Sequence, residues 1–572
     1  MKKLLTLTTA LCLLASASQA ANYYLSSSIG NDSYTAAQAQ SQSTPWKTLA
    51  KLNSYMASIK AGDNILLKAG DTFTIPEGIN TGGLLVTVNG TSALPITFTS
   101  YGTGAKPIIT LPAVTGWVAG ATAGIYTTKF TIQACCSLMF QDGVPITKAS
   151  SSALTDGSWY GDGTTLYYKP ASGTAPVNHT ITVANINNSY IPGIDLSARQ
   201  YVVVNALQFN SLGIGVKTFG ATSVGEVGLV IQNCTFNYCQ TGIFFMPDVG
   251  NNTKSTFQNN LFYRCQIGVR MYTAAAIGGI YGTRTTGTHI NCRVLNNEMS
   301  QCGTIDGTTH WQSSVAGTDF EAIGVQDFMG GTISNNYIHD GYCIGISWYN
   351  ITTRNSDNNT VTGNAIMNNN KGGLILIGNA SYTYSYNNNL FANNLFVNTN
   401  GGPGNGDGTI SIYPGTLTTV ASKFVNNTLS GSLNNIAFEN GNAPYFTIEN
   451  NIISTSGQYN FVTWHFSTKP ASLTMDYNLY YQTGTGYWAM GANKTLAQMQ
   501  AMGLETHSKV ANPMFVNTAG NQYQLQSASP ALNAGVNVGL SYYGAAPDMG
   551  AYELASGTAV SATVVANPPK KP

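Results

Sequence analysis

The stretch from Asn335 to Trp348, NNYIHDGYCIGISW, decides the fold. An asparagine pair opens it, a short apolar segment and a turn follow, and Gly345 then leads into the alternating run Ile346, Ser347, Trp348. The same phrase returns as Asn233-Cys234 before Gly242, Asn259-Asn260 before Gly268, Gly363-Asn364 before Gly373 and Asn393-Asn394 before Thr409. Asn426-Asn427 before Asn435 and Asn450-Asn451 before Asn460 continue it. Successive pairs lie between 24 residues (Asn426 to Asn450) and 39 residues (Asn296 to Asn335) apart. A repeat of wandering length fits a solenoid whose coils carry loops of different size. The fold class expected is all-β, a single-stranded right-handed parallel β-helix with short capping helices.

One coil cannot bury its own apolar face, so coils stack at the strand spacing of about 4.8 Å and equivalent side chains stand in columns. Asparagines at a sharp bend then bond along the stack and satisfy backbone groups. Asn260, Asn297, Asn336, Asn364, Asn394, Asn427 and Asn451 are expected to form such a column. Cys239, Cys265 and Cys302 also align, and that column allows either disulfides between stacked neighbours or buried thiols.

Charged residues make up only 9% of the 572-residue chain and the formal net charge is +1, which argues against a broad nucleic-acid or membrane field. Met1-Lys2-Lys3, the apolar run Leu4 to Leu14 and Ser18-Gln19-Ala20 read as a secretory signal, so a mature start at Ala21 is expected. The expected destination is the medium, the periplasm or the cell surface. No later segment is long and apolar enough for a membrane helix.

Residues 21–553 are expected to form the β-helix: an N-terminal cap and first coils over 21–109, irregular coils or an inserted β segment over 110–190, regular coils over 191–480 and a C-terminal cap over 481–553. A short helix is expected after Thr44, with Pro45 at its first position. Another is expected from Lys494 to Met502. Residues 554–572 are small, polar and Pro/Lys-containing and read as a disordered tail.

Tyr23-Tyr24-Leu25-Ser26 with Gly30-Asn31-Asp32, Pro45-Trp46-Lys47-Thr48-Leu49, Ala61-Gly62-Asp63-Asn64-Ile65 and Asp548-Met549-Gly550-Ala551-Tyr552-Glu553 resemble secreted right-handed parallel β-helix proteins of the pectate-lyase-like superfamily. The resemblance covers most of the mature chain. It implies the fold, and with it a range of activities: polysaccharide lyases, uronan C5-epimerases, glycoside hydrolases and non-catalytic proteins. No Asp-Pro-His motif of the alginate-epimerase kind is present, so no residue role is carried over.

Strand alternation predicts which side chains face outward. If Ile243, Val269, Ile323, Ile346, Leu374, Ile410, Ile436 and Phe461 point inward, one outward column is Phe244, Arg270, Gly324, Ser347, Ile375, Ser411, Ala437 and Val462. The next is Met246, Tyr272, Gln326, Tyr349, Ile377, Tyr413, Glu439 and Trp464. Tyr272, Gln326, Tyr349, Tyr413 and Trp464, with Trp311 from the long insertion Gly303 to Phe320, are the expected substrate-binding residues. Aromatic faces stack on sugar rings while their polar tips stay wet.

A lyase acting on uronic-acid chains must neutralise the sugar carboxylate and remove the C5 proton. Arg270 and Lys371, with Asp327, are the expected catalytic residues, and calcium is the candidate cofactor, on Glu321 and Asp319. The expected partner is a polysaccharide, met by a monomer, with no nucleic acid and no membrane span. A hydrolase using Glu321 with Asp327, or Asp327 with Glu439, is the first alternative and a non-catalytic surface protein the second. His339-Asp340 falls in a turn and reads as turn-stabilising. No dinucleotide or phosphate-loop glycine motif, His-Glu-x-x-His or EF-hand calcium loop is present.

Overall fold

A computed structural model describes residues 20–75, 83–131, 138–171, 174–184, 192–218, 226–246, 253–272, 289–305, 320–350, 355–378, 383–399, 409–413, 416–417, 422–431, 436–438, 446–455, 461–464, 473–482 and 488–554. They form a right-handed parallel β-helix of three 13-stranded sheets. In the coil that begins at residue 202, Val202–Asn205 belongs to the first sheet, Gln208–Asn210 to the second and Ile214–Thr218 to the third.

The two asparagines of each pair do different work. The first adopts the left-handed conformation, with φ of 54° at Asn233, 55° at Asn335 and 52° at Asn426, so the chain bends sharply from the first sheet to the second. The second turns its side chain inward. Its amide donates to the side-chain oxygen of the asparagine in the next coil, at 2.9 Å from Asn336 to Asn364 and again from Asn364 to Asn394. It also donates to a carbonyl of the preceding coil, at 3.0 Å from Asn336 to Val294. Each amide thus meets buried backbone that would otherwise lack a partner. The ladder runs from Asn260 to Asn478, one coil beyond the expected column, and Asn478 N–H ends it on Ser508 Oγ at 2.9 Å.

Where a glycine precedes a third-sheet run it has a packing cause. A Cβ at Gly242 would lie 2.5 Å from the Phe262 ring, at Gly345 2.6 Å from Ile366 and at Gly373 2.5 Å from Phe396. This position and the apolar residue after it both face the core, so alternation breaks there and the residue before them faces out. Phe461 occupies this inward position, and Ile436 pairs with Val462. The expected column was therefore one residue out at this coil. Trp464 shares register with Phe438 and Met490 rather than with the Tyr413 column.

A second correction concerns exposure. Third-sheet positions facing away from the core are largely buried: Phe244 2%, Met246 0%, Tyr272 7%, Gln326 3%, Ser347 0%. Parallel sheets are commonly covered on both faces, and at Tyr272 and Gln326 this one follows that pattern, while Tyr349 is half-buried.

Residues 110–190 include a seven-stranded sheet with antiparallel pairs and its own apolar cluster of Met139, Trp159, Leu166, Tyr168, Ile181 and Val183. Its Phe140 meets Tyr238 edge-to-face at 5.2 Å. At the N-terminal end the helix is Leu49–Tyr55, capped by Thr48, which accepts from Lys51 N–H at 3.1 Å. The expected start at Thr44-Pro45 is displaced because Trp46 is needed in the core, where it stacks on Tyr23. Helix Leu496–Ala501 closes the other end with a capping box of Thr495 and Gln498. Cys239, Cys265 and Cys302 are buried free thiols. The expected signal segment up to residue 19 and the expected tail from 555 lie outside the described residues.

Candidate functional site

A group of charged and phenolic side chains stands on the outer face of the third sheet, on the strands Ile267–Met271, Glu321–Gln326 and Ile344–Asn350. Register sets Arg270 beside Gly324 and Gly324 beside Ser347, while Gln326 pairs with Tyr349. Glu321 joins them because it precedes the inward pair Ala322-Ile323, where alternation breaks. Its carboxylate folds back over Gly324, whose missing side chain makes the room. A Cβ there would be 2.2 Å from Glu321 Oε2 and 3.1 Å from Tyr272.

Tyr272 Oη donates to Glu321 Oε1 at 2.5 Å. Glu321 Oε2 has no well-formed hydrogen bond among the described residues. The Arg270 guanidinium lies 4.4 Å from the Tyr272 ring centroid and 5.8 Å from that of Phe244, held between two aromatic faces. Tyr349 meets Tyr272 edge-to-face at 5.9 Å. Glu321 is 2% exposed, and Arg270 and Tyr349 are half-buried, so the carboxyl forms the floor and these two residues the rim.

Burial pushes the Glu321 carboxyl above the ordinary glutamate range, opposed by the Arg270 charge and by the hydroxyls of Tyr272, Tyr349 and Ser347. Burial, with the Glu321 charge, drives the Tyr272 phenol well above its usual value. The group thus combines a fixed cation, a carboxyl poised toward neutrality and two phenols, which can bind an anion and move a proton.

Other expected site residues lie elsewhere. Lys371 sits before the Leu374–Gly378 strand, its Nζ 5.0 Å from the Tyr342 ring centroid. It is three strands and about four residues from Arg270, on the order of 20 Å away, so the two do not share one reacting centre. Asp327 is buried in the left-handed turn after the strand, with φ 45°, and its N–H donates to Tyr349 O at 3.2 Å. Glu321 is six positions earlier, but its carboxylate folds back over Gly324, three positions and about 10 Å along the strand from Asp327. A hydrolytic pair needs carboxyls about 5 to 10 Å apart across a bound sugar, and Asp327 is fully buried in its turn.

The expected calcium site on Glu321 and Asp319 is described only at Glu321. Oε1 of Glu321 already accepts from a phenol and a guanidinium lies alongside, an environment suited to an anion rather than a cation. Among the described residues no group of three His, Cys, Asp or Glu is arranged to hold a metal ion. Trp311 and Asp319 fall outside the described residues, as does Glu439. Tyr413 continues the register of Tyr349 through Ile377. Gly324 and Ser347 were not expected to matter, although a glycine inside an apolar strand is itself a sign of close approach.

No known family matches the sequence, and no curated protein resembles it. Solved structures do. The complex of XylC with xylose aligns over 86% of this chain and 87% of its own, at 12% identity and a TM-score of 0.53. Pectate lyase Pel9A aligns over 94% and 97% at 13% identity, with a TM-score of 0.40. The alginate lyase AlyGC aligns over 84% and 55% at 11% identity, with a TM-score of 0.39. The first of these likenesses bears on the fold, and the class that the fold defines is the parallel β-helix.

Proposed function

We propose that this chain is an exported carbohydrate-active protein that acts on an acidic, uronic-acid-containing polysaccharide by proton abstraction at C5, with β-elimination as the reaction. The observation that carries the reading is the Arg270, Tyr272 and Glu321 group. A cation is held rigidly beside a carboxyl whose proton affinity is raised, and Tyr349 stands at the rim. The signal-like N-terminus supports export, and the sugar bound by a structural neighbour is in keeping with a carbohydrate ligand.

In this mechanism Arg270 pairs with the uronate carboxylate and stabilises the charge that develops as C5–H breaks. Glu321, ionised, takes the C5 proton at Oε2. The electrons form the C4–C5 double bond, the C4–O bond breaks and the departing oxygen is protonated from Tyr349. Return of a proton to the opposite face of C5 before C4–O cleavage gives epimerisation instead. A paired-carboxylate hydrolase on Glu321 and Asp327 is the alternative, with Asp327 fully buried in the turn after the strand.

Incubating the mature chain with pectins, alginates and glycosaminoglycans, with and without calcium, tests the proposal. An unsaturated product absorbing in the ultraviolet supports elimination. New reducing ends without that absorbance indicate hydrolysis, and binding without product indicates a non-catalytic role.

A further inference from the structure

A cleft of about 650 Å³ opens on another side of the solenoid, between the outer face of the second sheet and the C-terminal segment at residues 512–526. Its size falls within the range of about 300 to 1,000 Å³ typical of small-ligand sites. One wall is a register column in which Ser430 pairs with Ser454 and Ser454 with Tyr481, spaced about 4.8 Å apart by the sheet. Across from it stand Phe515 and Tyr523, which meet edge-to-face at 5.1 Å.

Its lining carries hydroxyls, amides and aromatic rings but no Lys, Arg, Asp, Glu or His. In a neutral cleft an ionised ligand would lose hydration without gaining a counter-charge, whereas a neutral polyol loses little and gains both stacking and hydrogen bonds. Thr455 sharpens the argument. It is 4% exposed, lines this cleft and its Oγ1 has no hydrogen-bond partner among the described residues. A buried hydroxyl left unpaired is costly, so a ligand hydroxyl meeting it recovers that loss.

We infer that this cleft is a second carbohydrate-binding site, selective for neutral sugar units and separate from the cationic third-sheet group. Ser430, Ser454 and Thr455 hydrogen-bond the sugar, and Tyr481 and Phe515 pack against its apolar faces. The site does not depend on elimination chemistry at Arg270.

Calorimetric titration of the full mature chain with xylotetraose, cellotetraose, mannotetraose and tetragalacturonate tests this. At least one neutral tetrasaccharide binds at about millimolar strength or better. Tyr481→Ala and the cleft-filling Ser454→Trp each weaken it about tenfold or more, Thr455→Val weakens it severalfold and Arg270→Ala leaves it unchanged. The inference is overturned if no neutral tetrasaccharide binds, if only the tetragalacturonate binds, if Arg270→Ala removes the binding, or if Tyr481→Ala and Thr455→Val both leave it intact. The last two variants keep the test decisive should the tryptophan variant fail to fold.

Discussion

Asn478, the last rung of the asparagine ladder, donates its side-chain amide to the carboxylate of Glu505 at 3.2 Å. A column of neutral amides thus terminates on an ionisable group, which Tyr480 and Ser508 also approach as donors. Glu505 is fully buried, and burial pushes its carboxyl up to about 7, against the pull of these three donors.

The sign of the resulting pH dependence follows. Between the ordinary glutamate value and about 7 the folded chain holds this proton and the unfolded chain does not, so stability falls as pH rises through that window. A shift of this size corresponds to on the order of 3 kcal/mol. Raised carboxyls at Glu449 and Asp548 act in the same direction. Urea midpoints are expected to decline from about pH 5 to pH 8. Glu505→Gln should flatten the decline, and a midpoint that rises over this range rejects the assignment.

Arg270→Ala is expected to lower turnover by about 10²- to 10³-fold while acidic-glycan binding is partly retained, because its work is on charge that develops during proton removal. Initial rates and a binding isotherm on the same preparation separate the two effects. Loss of binding with unchanged turnover at saturation would assign Arg270 to uniform binding instead.

The elimination rate should fall as pH falls through an apparent pKa above the ordinary glutamate range, since Glu321 acts ionised and burial raises its proton affinity. Glu321→Gln should remove both activity and this limb without unfolding the chain. A profile whose acid limb survives in that variant places the base elsewhere.

Gly324→Ala puts a methyl 2.2 Å from the Glu321 carboxylate. The carboxylate must swing away from Tyr272, at about 1 to 3 kcal/mol of stability. The expected signature is lost activity with the β-rich circular dichroism retained. Full activity would show that Glu321 need not occupy the position over Gly324.

Asn364→Ala removes one rung and leaves Asn336 N–H and the Ile333 carbonyl without their partners. Destabilisation of about 1 to 3 kcal/mol is expected in urea unfolding, with glycan binding unchanged.

Much of the fold was legible because stacking imposes its rules locally. A left-handed bend needs a residue such as asparagine, and a ladder needs a side chain that both donates and accepts, so Asn335-Asn336 announces a coil without any long-range information. The columns from Ile243 to Ile436 follow from alternation and stand in the structure. Phe461 misled the reading because two successive inward residues look like an ordinary apolar run once the first is no longer glycine. The same break in alternation hid the central place of Glu321, which strict period-two reading turns into the core. Burial of Tyr272 was not legible, because covering of the outer face depends on contacts between distant segments.

The chain leaves its coil after Ile108–Thr110, builds a separate seven-stranded sheet and re-enters at Pro192–Asp195, yet Ile194 still pairs with Leu84 and Phe209 with Ile109. A detour of about eighty residues therefore costs the stack nothing in alignment, since each coil takes its address from the coil beneath it and not from the length of chain between them. For a lineage, that seam is a place where whole modules can be acquired or exchanged without redesigning the scaffold. For an engineer, it marks where a foreign domain can be spliced in while the rest of the molecule keeps its coordinates.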